Sequence, residues 1–390
     1  MTARGSLADS PILAQVTASN QPRCLVVGGG VIGLSVAVSL ARAGAAVTIL
    51  ERGKRCGEGA SAAAAGMLAV GAEVSEGGSF LELCRRGRAL WPSWAQELRA
   101  TTGVDCELER CGLVRVTSSE EGISRLERQR ARQLDQGSEV SELLAPPQLA
   151  ELVPGIGPSV LAGLLYSNDG HVHSHRFVDA LVTACVRLRV SIQTSSEVAA
   201  IASQAKTSRL TLAGGQVAEA DYVVVCAGSW SGQLMAEGGA VRGPVEPVRG
   251  QIVAAYPGRP LLSRIVFGDS GYLVQKRSGL VLAGATEEWV GYQPWPTLEG
   301  ISGLIGMATQ LIPTLAQARL AYTWAGLRPH VKGGRPLLGR LQPGGRVLLA
   351  TAHFRNGVLL APITGDLIAR AILEGEDPPE LAPFSPLAPA

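Results

Sequence analysis

Residues 24–51 read CLVVGGGVIGLSVAVSLARAGAAVTILE, and they give the clearest indication of the fold. The run CLVVG predicts a short buried strand, the glycine turn and the small residues after it predict a helix that stops at Gly44, and AAVTILE predicts a second strand. Both strands are apolar throughout, as is typical of a parallel sheet that helices cover on both faces. The sequence therefore predicts a βαβ unit and an α/β fold.

The turn after the first strand has the spacing GxGxxG, formed by Gly28, Gly30 and Gly33. The first glycine permits the tight turn, the second lets the backbone approach a pyrophosphate, and the third lets helix and strand pack closely. The helix N-terminus offers N–H groups to the phosphates. Glu51 stands at the end of the second strand, where a carboxylate can accept both ribose hydroxyls. This arrangement predicts a dinucleotide site; the alternative is a glycine-rich turn near the surface.

The glycine motif alone does not distinguish NAD from FAD. The segment that follows the second strand does, because residues 59–67 read GASAAAAGM. A helix or loop of such small residues can press against a flat ring, which favours a flavin.

Composition and charge exclude several classes of protein. The chain has 390 residues, of which 46% are hydrophobic and 17% charged, as in compact globular proteins. Its net charge of +2, with no basic stripe, argues against nucleic acid as a partner. No run of about 18 apolar residues occurs, so no membrane span is predicted. Seven scattered cysteines without CxxC spacing indicate free thiols in a reducing compartment, so we expect a cytoplasmic protein.

Six segments resemble the D-amino-acid oxidase superfamily of FAD-dependent oxidoreductases, and within it the glycine-oxidase type. In chain order they are CLVVGGGVIGLSVAVSLARAG, SAAAAGML, DYVVVCAGSWS, GYLVQKRSGLVLAGAT, WAGLRP and HFRNGVLLAPITG. The resemblance implies a Rossmann-like FAD-binding domain of the glutathione-reductase type, interleaved with an antiparallel-sheet α+β substrate domain. We expect the FAD-binding domain in residues 23–85, 160–232 and 322–380, and the substrate-binding domain in residues 86–159 and 233–321. Residues 1–22 are expected to be a disordered extension, and the proline-rich PPELAPFSPLAPA a loose tail.

The same resemblance assigns residues to FAD. The ADP part of FAD is expected to contact the glycine motif together with Val31, Ile32, Glu51 and Arg52. Further expected contacts, to the flavin and the adenine, are Ser61, Gly66, Met67, Val198, Ala227, Gly228 and Trp230. The loop from His353 to Leu359 (His353, Phe354, Arg355, Asn356, Gly357, Val358 and Leu359) resembles the loop whose N–H groups stabilise negative charge on the reduced ring. Related enzymes that bind flavin covalently use a cysteine in this region, and none follows Cys226 here, so non-covalent FAD is expected.

Substrate contacts follow from the resemblance as well. Arg328 in WAGLRP and Tyr272 in GYLV match the pair that holds the substrate carboxylate, with a bidentate guanidinium and one phenol donor. Without the resemblance, Tyr272 reads as a packing aromatic and Arg328 as a structural ion-pair residue. Arg355 is expected at the pocket mouth, with a loop-fixing role as its alternative. No side chain is expected to act as acid or base, because positioning and the flavin suffice.

Some features depart from this pattern. His171, His173 and His175 alternate along a strand-like segment, which raises a metal site, but no cysteine or carboxylate completes it and no metal is expected. Ser270 stands where glycine oxidases can carry a histidine, and this bears on pocket polarity. Glu287, Glu288 and Trp289 are candidates for lining the pocket, with a solvated turn as the alternative.

The resemblance implies oxidative deamination of glycine, sarcosine, D-alanine and similar small amines, with hydride transfer to flavin N5 and reduction of O2 to H2O2. Such enzymes often supply glycine imine for the thiazole of thiamine. The alternatives are a D-amino-acid dehydrogenase with a quinone acceptor, for which no basic amphipathic helix is visible, and a non-catalytic flavin-binding protein, which the presence of Arg328 disfavours. Fold kinship suggests a homo-oligomer, with a tetramer as one form.

Overall fold

A computed structural model describes residues 21–74, 77–137, 142–203, 207–235 and 243–387. Residues 1–20 of the expected extension lie outside the described residues. In chain order the strands and helices are β1 Arg23–Val27, α1 Val31–Arg42, β2 Ala46–Leu50, α2 Ala60–Ala63, β3 Met67–Leu68, α3 Val70–Glu73, α4 Ser79–Thr102, β4 Leu113–Thr117, α5 Glu120–Asp135, α6 Pro146–Leu152, β5 Ala162–Tyr166, β6 Gly170–His171, α7 Ser174–Arg187, β7 Ser191–Gln193, β8 Val198–Ser203, β9 Ser208–Leu212, β10 Val217–Ala220, β11 Tyr222–Val225, α8 Ser231–Met235, β12 Glu246–Tyr256, β13 Ile265–Phe267, β14 Tyr272–Gln275, β15 Val281–Gly284, α9 Leu298–Leu311, β16 Arg319–His330, β17 Leu337–Arg340, β18 Val347–Thr351 and α10 Gly357–Leu373.

Within these ranges, six strands form one largely parallel sheet in the order β17-β18-β11-β1-β2-β7. β1 lies parallel to both β2 and β11, and only β17 runs antiparallel to its neighbour. Side chains alternate along a strand, so Cys24 and Val26 of β1 face a core built from α1, α4, α7 and α10, whereas Leu25 and Val27 face residues of the small β8–β10 sheet. Both faces of β1 are buried, and the predicted α/β fold with a parallel sheet is confirmed.

A second sheet of seven strands, counted over the described residues, has the order β16-β12-β15-β14-β13-β4-β5. Most of its pairs are antiparallel, and β13 with β4 is parallel. One face packs on α6 and α9, and the other faces the small-residue segment after α2. β5 and most of β16, which lie in segments expected to form the FAD-binding domain, pair within this sheet. Pairing between strands far apart in the chain is not visible in their apolar sequences alone.

The C-terminal helix α10 is the most deeply packed helix of the larger core. By length and composition, Phe354–Leu373 is apolar enough to cross a membrane, yet 78% of it is buried inside the protein. It lies against α1 and α4, with Leu360 and Ile368 fully buried. Its apolar character is therefore that of a core helix.

The tail after α10 corrects one prediction. Pro379–Phe384 forms a 3₁₀ helix in which Leu381 and Phe384 are 1% exposed, and Glu380 accepts from Arg370 at 3.1 Å. The prolines prevent an α-helix, but the apolar residues between them still reach the core. The expectation of a loose tail was wrong for the described residues 378–387.

Candidate active site

A cavity of about 470 Å³ lies between the two sheets. It gathers nearly all of the residues that the sequence assigned to cofactor and substrate, from both ends of the chain. Those lining it are Gly28, Gly30, Val31, Ile32, Glu51, Arg52, Ser61, Gly66, Met67, Val198, Ala227, Gly228, Trp230, Tyr272, Arg328, His353, Phe354, Arg355, Gly357 and Val358. Gly33, Asn356 and Leu359 stand behind this lining. The structure therefore brings the expected FAD and substrate residues to one site.

The glycine turn has the geometry that a pyrophosphate requires. Gly28 has a φ of +105°, and a Cβ there would lie 2.6 Å from the carbonyl oxygen of Cys226. A Cβ on Gly33 would lie 2.0 Å from the carbonyl oxygen of Gly28, so the third glycine allows α1 to approach the turn. The helix begins at Val31, whose N–H donates to Ser61 Oγ at 3.0 Å. Gly30 and Val31 line the cavity, so the N-terminus of α1 faces it, as an anion site requires.

Glu51 is held firmly at the end of β2. One carboxylate oxygen accepts from the N–H of Gly29 at 2.6 Å and the other from Gly53 at 2.7 Å. A carboxylate has about four acceptor positions, so both oxygens can still accept from ribose hydroxyls. Beside it, the Arg52 guanidinium lies 3.5 Å from the ring of Trp230. These residues fit the nucleotide half of FAD.

The small residues after α2 form a flat wall. Gly66 has a φ of +79°, and a Cβ there would lie 2.2 Å from the carbonyl oxygen of Val172. A Cβ on Gly326 of β16 would lie 2.3 Å from Cβ of Ala63, so the wall packs directly on the second sheet. Residues 63–66 all line the cavity, so this run of small residues leaves room there for a ring system.

Lys276 supports this wall through hydrogen bonds on the side away from the cavity. It was not identified from the sequence. Its buried Nζ donates to the carbonyl oxygens of Ala65 at 2.6 Å and Val172 at 2.9 Å, and lies 3.3 Å from Nδ1 of His171. Burial lowers the pKa of Lys276 to about 7. No sequence signal indicated this role, because Lys276 stands in the polar stretch QKRS directly after β14.

The loop at His353 closes the opposite end of the cavity. His353 is buried, its Nε2 lies 3.0 Å from Thr364 Oγ1, and burial lowers its pKa to about 3. The ring is therefore neutral near pH 7. After a 3₁₀ turn, α10 starts at Gly357, which lines the cavity together with Val358. The positive end of this helix dipole favours negative charge at that end of a bound ring.

The substrate end holds a partly buried arginine. Arg328 NH1 donates to the carbonyl oxygen of Thr286 at 3.0 Å, and burial lowers the pKa of the guanidinium. Among the described residues, no carboxylate forms an ion pair with it. Tyr272 is 5% exposed, and burial raises the pKa of its phenol, which is therefore a neutral donor. A cationic fork and one neutral donor facing the same cavity suit one carboxylate.

Arg355 stands beside this pair in a different environment. Its guanidinium forms ion pairs with Glu73 at 3.0 Å and with Glu287 at 3.5 Å. Glu73 is the main cause of the raised pKa of Arg355. The sequence reading missed Glu73, although an acidic residue so soon after the small-residue run was a usable signal.

The remaining candidates lie elsewhere. His171 pairs with Lys276, and His173 and His175 sit at the start of α7 with ring centroids 6.0 Å apart. No cluster of three His, Cys, Asp or Glu that could hold a metal occurs in the described part of the chain. Ser270 is exposed and away from the cavity lining. Glu288 pairs with Arg249.

Comparison with known proteins shows the family to which the chain belongs. The family described as FAD dependent oxidoreductase (DAO) matches residues 23–371. The glycine oxidase of Geobacillus kaustophilus (strain HTA426) is 35% identical over 362 residues, which cover 92% of this chain and 95% of that one. The bifunctional protein ThiO/ThiG of Synechocystis sp. is 34% identical over 372 residues, covering 93% of this chain and 53% of that protein. The crystal structure of glycine oxidase from Geobacillus kaustophilus superimposes with a TM-score of 0.88 at 31% identity, covering 95% of this chain and 100% of that one. The chain belongs to the DAO family of FAD-dependent oxidoreductases, and its cofactor is FAD.

Proposed function

We propose that this protein oxidises glycine and other small amino acids with a primary or secondary amine, such as sarcosine and D-alanine, with O2 as electron acceptor. The observation that carries the proposal is Arg328, a partly buried guanidinium that faces the cavity without a carboxylate partner among the described residues. A charge that has lost part of its hydration is stabilised by a counter-ion. The carboxylate of an amino acid supplies it.

The residues of the chain hold and orient the substrate. Arg328 grips the carboxylate, Tyr272 donates one further hydrogen bond, and Arg355 borders the pocket mouth. FAD, when bound, would supply the acceptor for a hydride from the carbon next to the neutral amine and would return the two electrons to O2 as H2O2. Loss of the amine proton would complete the imine, and water would convert it to a keto acid with release of ammonia, or of methylamine when the substrate is sarcosine. Positioning is the main contribution of the protein to this reaction.

Further expectations belong to this proposal. Residues 23–85, 160–232 and 322–380 would form the FAD-binding domain and residues 86–159 and 233–321 the substrate domain, with β5 and β16 contributed to the second sheet. Non-covalent FAD, a homo-oligomer and a cytoplasmic location are proposed with it. Similarity to ThiO/ThiG supports a role in supplying glycine imine for the thiazole of thiamine.

The test is release of H2O2 by the purified yellow protein in air, offered glycine, sarcosine, D-alanine and D-proline. We expect peroxide with glycine, and its loss in Arg328→Ala with FAD still bound. The matched control is Arg259→Ala, which removes an exposed arginine. Anaerobic bleaching of the flavin without peroxide in air would indicate a dehydrogenase. No bleaching with any amine would overturn the amino-acid substrate and leave a flavin-binding protein.

A further inference from the structure

The two arginines at the substrate end differ in their charge balance. Arg328 has no ion-pair partner within the described ranges, whereas Arg355 is shared by two carboxylates, Glu73 and Glu287. When these two arginines and two glutamates are all charged, their charges sum to zero before the substrate binds. One guanidinium is open to an incoming carboxylate and the other is already satisfied.

The two carboxylates on Arg355 are not equivalent. The side chain of Glu73 is 7% exposed and that of Glu287 is 44% exposed. Glu73 is therefore part of the protein interior, while Glu287 stands on the solvent side of the same guanidinium. Burial lowers the pKa of the Arg328 guanidinium, and the charge of Glu287 is one of several that act against this effect. The charge of Glu287 thus acts on both arginines from the solvent side of Arg355.

Neighbouring residues hold Glu287 in place. Thr286 directly precedes Glu287 in the chain. Its carbonyl oxygen accepts from Arg328 NH1, and its hydroxyl donates to the carboxylate of Glu288. Glu288, which directly follows Glu287, accepts from Gln251 at 2.7 Å and forms an ion pair with Arg249, which is 4% exposed. Both flanking residues are anchored to β12, so the position of Glu287 is built into the fold.

We propose that Glu287 is a specificity-determining residue that restricts the site to amines with a single carboxylate. It does so by occupying Arg355 and by repelling a second acidic group on the substrate. A dicarboxylate amine would have to displace Glu287 or leave one carboxylate beside it unpaired, and both cost binding free energy. This inference rests on the proposed function, because it takes Arg328 as the anchor of the first carboxylate.

The test compares binding of one and two carboxylates without turnover. Acetate and malonate are titrated into the FAD-loaded protein, and Kd is read from the flavin absorbance spectrum. In Glu287→Gln and Glu287→Met we expect the Kd of malonate to fall about tenfold relative to that of acetate, the scale of one removed like charge at several ångströms near a protein surface. In peroxide assays, kcat/KM for iminodiacetate should rise relative to glycine by a similar factor.

Glu299→Gln is the matched control, since it removes one negative charge from an exposed position in the first turn of α9. The ratio of its Kd for acetate to its Kd for malonate should equal that of the unmodified protein. Three results would overturn the inference: equal shifts in the Kd of acetate and of malonate in the Glu287 variants, no shift in either Kd, and the same shift in Glu299→Gln. Failure of acetate or malonate to change the flavin spectrum would also overturn it. If the Kd values of acetate and malonate change as expected but no amine yields peroxide, the proposed oxidase function is overturned instead.

Discussion

Gly250 on β12 allows Arg328 to occupy its place at the substrate end. A Cβ at this position would lie 2.2 Å from NH2, 2.3 Å from NH1 and 2.4 Å from Cζ of Arg328. Ordinary van der Waals contact begins near ~3.5 Å, so Gly250→Ala should push the guanidinium by about 1.3 Å. The atoms that must move are the end of a flexible side chain, and Gly250 has no positive φ. The change should therefore affect function far more than stability.

A displacement of about 1 Å at a positioning group can cost roughly 100-fold in rate, or about 2.7 kcal/mol of transition-state stabilisation. We accordingly expect kcat/KM for glycine to fall about 100-fold in Gly250→Ala. The assay is anaerobic stopped-flow reduction of the flavin by glycine, with urea unfolding to follow stability.

Gly306→Ala is the control for this substitution, because nothing lies within 4 Å of a Cβ added to that exposed helical glycine. It should keep the kcat/KM of the unmodified protein. The reasoning would be refuted if Gly250→Ala also kept that value, or if it lost activity only because it had unfolded.

Three further outcomes are expected. Burial lowers the pKa of His353 to about 3 from 6.5, so between these values the unfolded chain binds a proton that the folded protein does not. This residue should then make the free energy of unfolding rise by about 1.4 kcal/mol per pH unit. Urea unfolding at pH 4.5, 5.5 and 6.5 should show that His353→Gln lacks this part of the pH dependence. An unchanged pH dependence would contradict the assignment. Glu73→Gln removes the less exposed of the two carboxylates on Arg355 and should cost about 1.5 kcal/mol of stability at saturating FAD, because Arg355 keeps Glu287 as a partner. The exposed control Glu82→Gln should cost almost nothing, and equal losses would show that the Glu73–Arg355 pair is unimportant. Acid precipitation should leave FAD in the supernatant, because no cysteine follows Cys226, and yellow colour in the washed pellet would refute non-covalent binding.

The nucleotide half of the site was predictable because its signals are local. Strand, glycine turn, helix and acid follow each other within residues 24–51, and each has a backbone reason that holds in any context. Gly28 illustrates this, since its positive φ and the nearby carbonyl oxygen of Cys226 exclude a side chain. The resemblance extended the prediction to Tyr272, Arg328 and the loop at His353, and the structure places Tyr272, Arg328 and five of the seven loop residues on one cavity.

What the linear pattern could not reveal depends on residues far apart in the chain. Glu73 and Arg355 are 282 positions apart, and Lys276 reaches a carbonyl oxygen 211 positions away. Their partners depend on how the two sheets meet. The same holds for the placement of β5 in the second sheet and for the burial of Leu381 and Phe384. Local preferences of the backbone therefore specified the glycine turn and the nucleotide half of the site, whereas packing between distant strands decided which charges face each other at the substrate end.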